Sequence, residues 1–166
     1  MMGTILVAYA SKYGSTREVA ESIASILRER LLRVDVRPAG EVEHLEEYTG
    51  VVLGGGIYMG RWHRDARGFA RHFQHELGNL PVAVFALGPT DDVPEHRAGS
   101  EKQFRRAVSK LELEPLASAV FGGVVDPRKL HFPFNHMEAV DIRDWNEIRA
   151  WADEVADRFA ALPVPA

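Results

Sequence analysis

Five short apolar runs separated by helical patterns predict an α/β protein, a doubly wound parallel sheet of five strands with helices on both faces. Three observations carry this. The runs are near-continuous in apolar residues, as strands buried on both faces are. Amphipathic stretches lie between them, and parallel neighbours need such crossovers. The turns after the first, third, fourth and fifth runs are rich in Gly, Ser, His and Pro, and ligands of such sheets sit outside the carboxyl ends of the strands.

Composition sets the frame. At 166 residues the chain has the length of one domain, expected over residues 1–162 with a Pro-broken tail at 163–166. With 46% hydrophobic and 27% charged residues, disorder and fibrous structure are disfavoured. The absence of cysteine rules out disulfides, thiolate metal sites and a cysteine nucleophile. A net charge of −4 does not suggest a nucleic-acid or anionic-membrane binder. The early apolar run at residues 5–10 is far too short to span a membrane and has no basic segment before it, so a cytoplasmic protein is expected. Met1-Met2-Gly3 does not place Gly second, as myristoylation requires.

Residues 4–9 read as the first buried strand, bounded by Gly3 and a Ser/Gly-rich stretch. Over 16–32, Val19, Ala20, Ile23, Ala24, Ile26, Leu27 and Leu31 recur at helical spacing, and Ser15 with Glu18 suggests a capping box. Residues 33–37 alternate like an edge strand. A short helical turn is expected over 40–49, carrying Val42, Leu45 and Tyr48, before the third strand at 51–54. Between 64 and 77, Ala66, Phe69, Ala70, Phe73 and Leu77 form one helical face, with Arg64, Arg67, Arg71 and His75 opposite. A strand at 81–87, a helix at 101–111 and a strand at 117–125 follow. Asp144 with Glu147 marks the start of a closing helix running to about Leu162.

The loop after the first strand, Ser11-Lys12-Tyr13-Gly14-Ser15-Thr16, leads directly into a helix. Its hydroxyls and backbone N–H groups, added to the partial positive charge of a helix N-terminus, suit a phosphate; the alternative is a simple N-cap by Ser15 or Thr16. This segment resembles the phosphate loop of the flavodoxin-like family, [Thr/Ser]-x-Thr-Gly-x-Thr: Ser11, Gly14 and Thr16 match, while Tyr13 replaces a hydroxyl. The resemblance continues through residues 54–63, Gly-Gly-Gly-Ile-Tyr-Met-Gly-Arg-Trp-His. This segment is most similar to the flavodoxin-like menaquinone-dependent protoporphyrinogen oxidase group, where it borders the flavin ring.

That resemblance implies strand order 2-1-3-4-5 and FMN as cofactor. It implies phosphate contacts from Ser11, Lys12, Tyr13, Gly14, Ser15 and Thr16. It further implies ring contacts from Ile57, Tyr58, Met59 and Gly60, and from a third loop at Leu87, Gly88, Pro89 and Thr90. Glycine admits a flat ring close to the backbone, and Tyr58 or Trp62 either stacks on that ring or packs the loop onto the next helix. The loop at 126–137 mixes cations, imidazoles and aromatics. It is either a cover over the flavin or a packed excursion filled by Phe132, Phe134 and Met137, the second being favoured, and it is shorter than the insertion of the oxidase group. His63, Lys129 and His131 are the substrate-binding candidates.

His72-x-x-His75 has no convincing third ligand, so no metal is expected. A phospho-acceptor Asp after strand three, a Gly-x-x-x-x-Gly-Lys loop and a Gly-x-Ser-x-Gly elbow are all missing, which disfavours receivers, nucleoside triphosphatases and serine hydrolases. Two classes remain: an FMN-dependent oxidoreductase meeting a small-molecule or protein redox partner, or a flavodoxin-like carrier or binding module. The arginine face is a solvated surface or a dock for an acidic electron-transfer partner.

Overall fold

The computed structural model describes residues 3–30 and 32–162; the expectations for Met1, Met2, Leu31 and the 163–166 tail lie outside them. In chain order the elements are β1 (Thr4–Ala10), α1 (Ser15–Glu29), β2 (Arg33–Pro38), β3 (Tyr48–Tyr58), β4 (Arg61–Trp62), α2 (Arg64–His72) and α3 (Gln74–Leu77). There follow β5 (Val82–Leu87), α4 (Pro94–Lys110), β6 (Ala117–Phe121), β7 (Val124–Val125), β8 (Val140–Asp141) and α5 (Trp145–Ala160). The main sheet runs β2-β1-β3-β5-β6, all parallel, which is the expected 2-1-3-4-5 order; β4 folds back antiparallel on the end of β3.

Strand alternation sorts the core into two layers. Ile5, Val7, Ala83, Phe85 and Leu87 face α1 and α5, where Ile23, Leu27, Ile148 and Val155 meet them. Leu6, Ala8, Val84 and Ala86 face α2 and α4, with Trp62, Ala66, Phe69 and Phe104. All five strands therefore end at one edge, and the loops leaving β1, β3, β5 and β6 share it.

Several boundaries differ from the sequence reading. Residues 39–41 form one 3-10 turn, and a separate turn at 46–47, closed by the Tyr48 amide on the Leu45 carbonyl, leads into β3. Tyr48 is a strand residue whose hydroxyl donates to Asp35 and accepts from Arg37, a pairing with β2 that periodicity within 40–49 cannot reveal. The 64–77 helix breaks at Phe73, whose ψ of 22° ends α2. α4 begins at Pro94, not 101, because proline's fixed φ suits a first helical turn. The expected 117–125 strand stops at Phe121, and β7 leaves the sheet to pair with β8, forming the neck of the 126–139 excursion. At α5 the Asp144 cap stands as expected, accepting from the amides of Asn146 and Glu147, and the helix stops at Ala160.

The capping box at α1 does not form. Gly14 takes the cap position at φ 95°, a left-handed conformation natural to glycine, and among the described residues no side chain caps the helix. Ser15 is thereby drawn inside the first turn.

Candidate functional site

The loop 11–16 turns between β1 and α1 on a hydrogen bond from the Gly14 amide to Ser11 Oγ (2.8 Å), which leaves the Ser11 hydroxyl hydrogen free to donate. The first N–H groups of a helix lack intrahelical acceptors. α2 and α5 meet part of that need with His63 and Asp144, whereas α1 has no side-chain cap among the described residues, so its donors point out at the sheet edge. Thr16 is buried at 3% exposure, Ser15 is half-buried, and Lys12 and Tyr13 are exposed, with Lys12 Nζ 5.2 Å from the Tyr13 ring centre. Tyr13 takes part through its backbone, since its carbonyl accepts from Lys129 Nζ at 2.8 Å.

Beyond β3 the chain makes a tight hairpin. Ile57 pairs with Trp62 and Tyr58 with Arg61, leaving Met59 (φ 50°) and Gly60 (φ 77°) as two left-handed turn residues, the combination of a type I′ hairpin. Tyr58 is 75% exposed and Met59 87%, two large apolar side chains held in solvent at the sheet edge. Ile57 packs inward against the α2/α4 layer. Trp62 is core: it is 1% exposed, its Nε1 donates to the Gly55 carbonyl, and its ring meets Phe104 edge-on at 5.1 Å. It packs the hairpin onto α4 and does not present a stacking face.

The glycine run also has a reason other than close approach of a ring. A Cβ on Gly54 would fall 2.0 Å from the Phe85 ring, and one on Gly55 would crowd His63 and Ala66. At Gly56 that side is open, the nearest atom being the Leu87 carbonyl oxygen at 4.0 Å.

His63 caps α2 by accepting the Asp65 amide on Nδ1 at 3.0 Å. Burial pushes its pKa below the ordinary value; Asp65 opposes this, while Arg64, Arg67 and Lys12 reinforce it, so the ring is held neutral.

After β5, Leu87 turns its side chain into the α1/α5 layer, Gly88 donates to the Phe121 carbonyl, and Pro89 accepts from Gly123. Thr90 is exposed. Asp91 accepts from Val93 and from His96, contacts that hold its carboxyl below the usual range. Beside it lies a groove of about 530 Å³ lined by Asp91, Asp92, Glu101, Asp144 and Glu147 together with the cation of Arg97. Its charge suits no phosphate.

The 126–137 excursion is not a packed satellite core: Phe132, Phe134 and Met137 are 78%, 56% and 48% exposed. What holds it is polar. Asp126 forks Arg128, Lys129 reaches the 11–16 loop, and Arg143 at the other end donates to the Ser15 carbonyl and pairs with Glu18 and Asp141. His131 stays in solvent. The Lys129–Tyr13 bond joins residues 116 apart, and no local pattern signals it or the Arg143 clamp.

On α2, Arg64 and Arg71 are exposed, but Arg67 Nε donates to the Trp62 carbonyl, so it belongs to the hairpin as much as to the surface. His72 and His75 are exposed on either side of the Phe73 break.

Residues 6–139 match the flavodoxin domain family. The chain belongs to that family. It is similar to the protoporphyrinogen IX dehydrogenase [quinone] of Escherichia coli K12, 26% identical over 169 residues covering 91% of this chain and 93% of the relative. The same figures hold for the protein of that name in E. coli O157:H7. Among solved structures, a cysteine-to-alanine mutant of Pseudomonas aeruginosa flavodoxin superposes with a TM-score of 0.63 at 16% identity, covering 95% of this chain and 99% of that one. The flavodoxin of Streptococcus pneumoniae TIGR4 gives 0.59 at 20% identity, covering 95% and 98%. These last two likenesses concern the fold.

Proposed function

We propose that this flavodoxin-domain chain binds FMN and works as a flavin-dependent oxidoreductase on a small redox substrate, a protoporphyrinogen with a quinone-type acceptor being the pair suggested by its E. coli relatives. The observation that carries the reading is the open N-terminus of α1, set behind left-handed Gly14 at the edge where Tyr58 and Met59 stand exposed. An anion at that point meets oriented N–H donors and the positive end of a helix.

In this reading Ser11, Lys12, Tyr13, Gly14, Ser15 and Thr16 hold the phosphate: Thr16 by its hydroxyl, Ser11 by its remaining donor, Tyr13 and Ser15 by their amides. Tyr58 and Met59 flank the ring with apolar surface, and Ile57 and Gly60 fix the hairpin that carries them. Leu87, Gly88, Pro89 and Thr90 offer backbone to its edge. Bound flavin supplies the electron or hydride transfer, and the chain orients it and limits water. His63, held neutral, and His131 on the excursion are the substrate-side groups, with no proton transfer assigned to either.

The test is turnover of protoporphyrinogen with a quinone by FMN-loaded protein against an equal concentration of free FMN. Oxidation well above that control is expected. Rates equal to it, with flavin retained, overturn the substrate half of the reading. They favour instead an electron carrier docking a protein partner on the exposed tip beside Arg61, Arg64 and Arg71.

A further inference from the structure

The excursion 126–139 is tied to the β1–α1 loop from both of its ends. Arg143, past β8, donates to the Ser15 carbonyl at 3.2 Å and pairs with Glu18 at 3.3 Å, with its guanidinium 4.8 Å from the Trp145 ring. Before the tip, the 3-10 turn Pro127–Lys129, capped by Asp126, carries Lys129 Nζ to the Tyr13 carbonyl. The acid nearest in sequence, Asp126, is already engaged by Arg128 through both carboxylate oxygens, and the lysine charge rests on a neutral carbonyl. A Cβ built on Gly14 would lie 3.7 Å from that same Nζ, so the ammonium stands directly over the residue that opens the helix.

We propose that Lys129 is a phosphate-selective residue: the excursion delivers its ammonium to the anion held at the N-terminus of α1, so that the site discriminates a phosphorylated flavin from an unphosphorylated one. This rests on the FMN reading above. An ammonium has three donors, and one spent on the Tyr13 carbonyl leaves two for phosphate oxygens. A charge-assisted contact of this kind, formed at a partly exposed loop, is salt-sensitive and acts on the phosphate alone. The aromatic tip of the excursion has no part in it.

The experiment is a pair of fluorescence titrations, with FMN and with riboflavin, on the unsubstituted protein and on Lys129→Gln, Lys129→Arg and Arg128→Gln at low and moderate salt. Glutamine keeps an N–H donor for the Tyr13 carbonyl while removing the charge, so a purely structural strut survives it. Expected are an FMN affinity about tenfold weaker in Lys129→Gln, riboflavin affinity unchanged, near-complete rescue by Lys129→Arg, and a smaller salt dependence for FMN in the glutamine variant. Arg128→Gln, which frees the Asp126 carboxylate to compete for the ammonium, is expected to weaken FMN binding less than Lys129→Gln does and to leave riboflavin binding unchanged. Equal losses for FMN and riboflavin, or no loss for either, overturn the proposal while leaving the FMN reading in place. Failure of the unsubstituted protein to bind FMN at all overturns both.

Discussion

Met59 occupies a backbone conformation that costs a non-glycine residue about 1 kcal/mol, and its side chain gains nothing from the protein in return, being 87% exposed. Asparagine tolerates the left-handed region and is favoured in type I′ turns. Met59→Asn is therefore expected to raise the thermal midpoint by about 2–4 °C and, if the thioether borders the ring as proposed, to weaken FMN binding by roughly fivefold. A gain in midpoint with unchanged affinity removes Met59 from the site. His63 gives the pH prediction. Its folded pKa is lowered by burial, so below about pH 6.5 the unfolded chain takes up a proton that the native state resists. Stability then falls as pH drops from there through the lowered native value, and it is regained on return to neutrality. His63→Asn caps α2 without titrating, and its urea midpoint between pH 7.5 and 5 is expected to fall less; parallel curves for the two proteins contradict the assignment. Both residues were visible in the sequence as candidates in the loop after the third strand. Their physical states were not, because a positive φ and a capped imidazole depend on a hairpin that local composition does not specify.

Among the elements, β3 shows how one pattern can serve two purposes. The glycines at its end look like room for a ligand, yet Gly54 makes room for Phe85, whose ring also meets Phe121 at 6.0 Å and Trp151 at 5.9 Å. Gly54→Ala is expected to cost about 1–3 kcal/mol by overpacking. Phe85→Leu in the same chain should recover part of it, with a coupling of about 0.5–3 kcal/mol in denaturant unfolding; strict additivity would mean that the two do not share the space. The five parallel strands, apart from their ends, and α1 and α5 were legible because near-continuous apolar runs and a 3.6-residue period leave few alternatives, whereas the two-residue strands β4, β7 and β8 carry no such pattern. The caps were legible by half. The same Ser/Asp-x-x-Glu spacing is a true cap at Asp144 and a false one at Ser15, because Gly14 ahead of Ser15 adopts the left-handed conformation and takes the cap position.

In the molecule as a whole, one sheet edge collects what the chain has scattered: the open end of α1, the Tyr58–Met59 tip, the β5 turn, and a polar-tied excursion carrying Lys129. The acidic groove by Asp91 and the cationic contacts about Gly14 divide that edge by charge, a division hidden in a net value of −4. The sheet order followed from the alternation of elements together with the family resemblance. The Lys129 and Arg143 contacts did not, since they join segments more than a hundred residues apart. Retention of FMN after desalting, read from the visible absorption of the unsubstituted protein beside Gly14→Asp and Thr16→Ala, bears most directly on the account. Flavin bands are expected in the first, with weaker bands in Thr16→Ala. They should be nearly absent in Gly14→Asp, whose carboxylate would stand at the proposed phosphate position, while both variants keep native circular dichroism. A folded, unsubstituted protein that leaves the column colourless, or a Gly14→Asp variant that retains as much FMN as its parent, contradicts it.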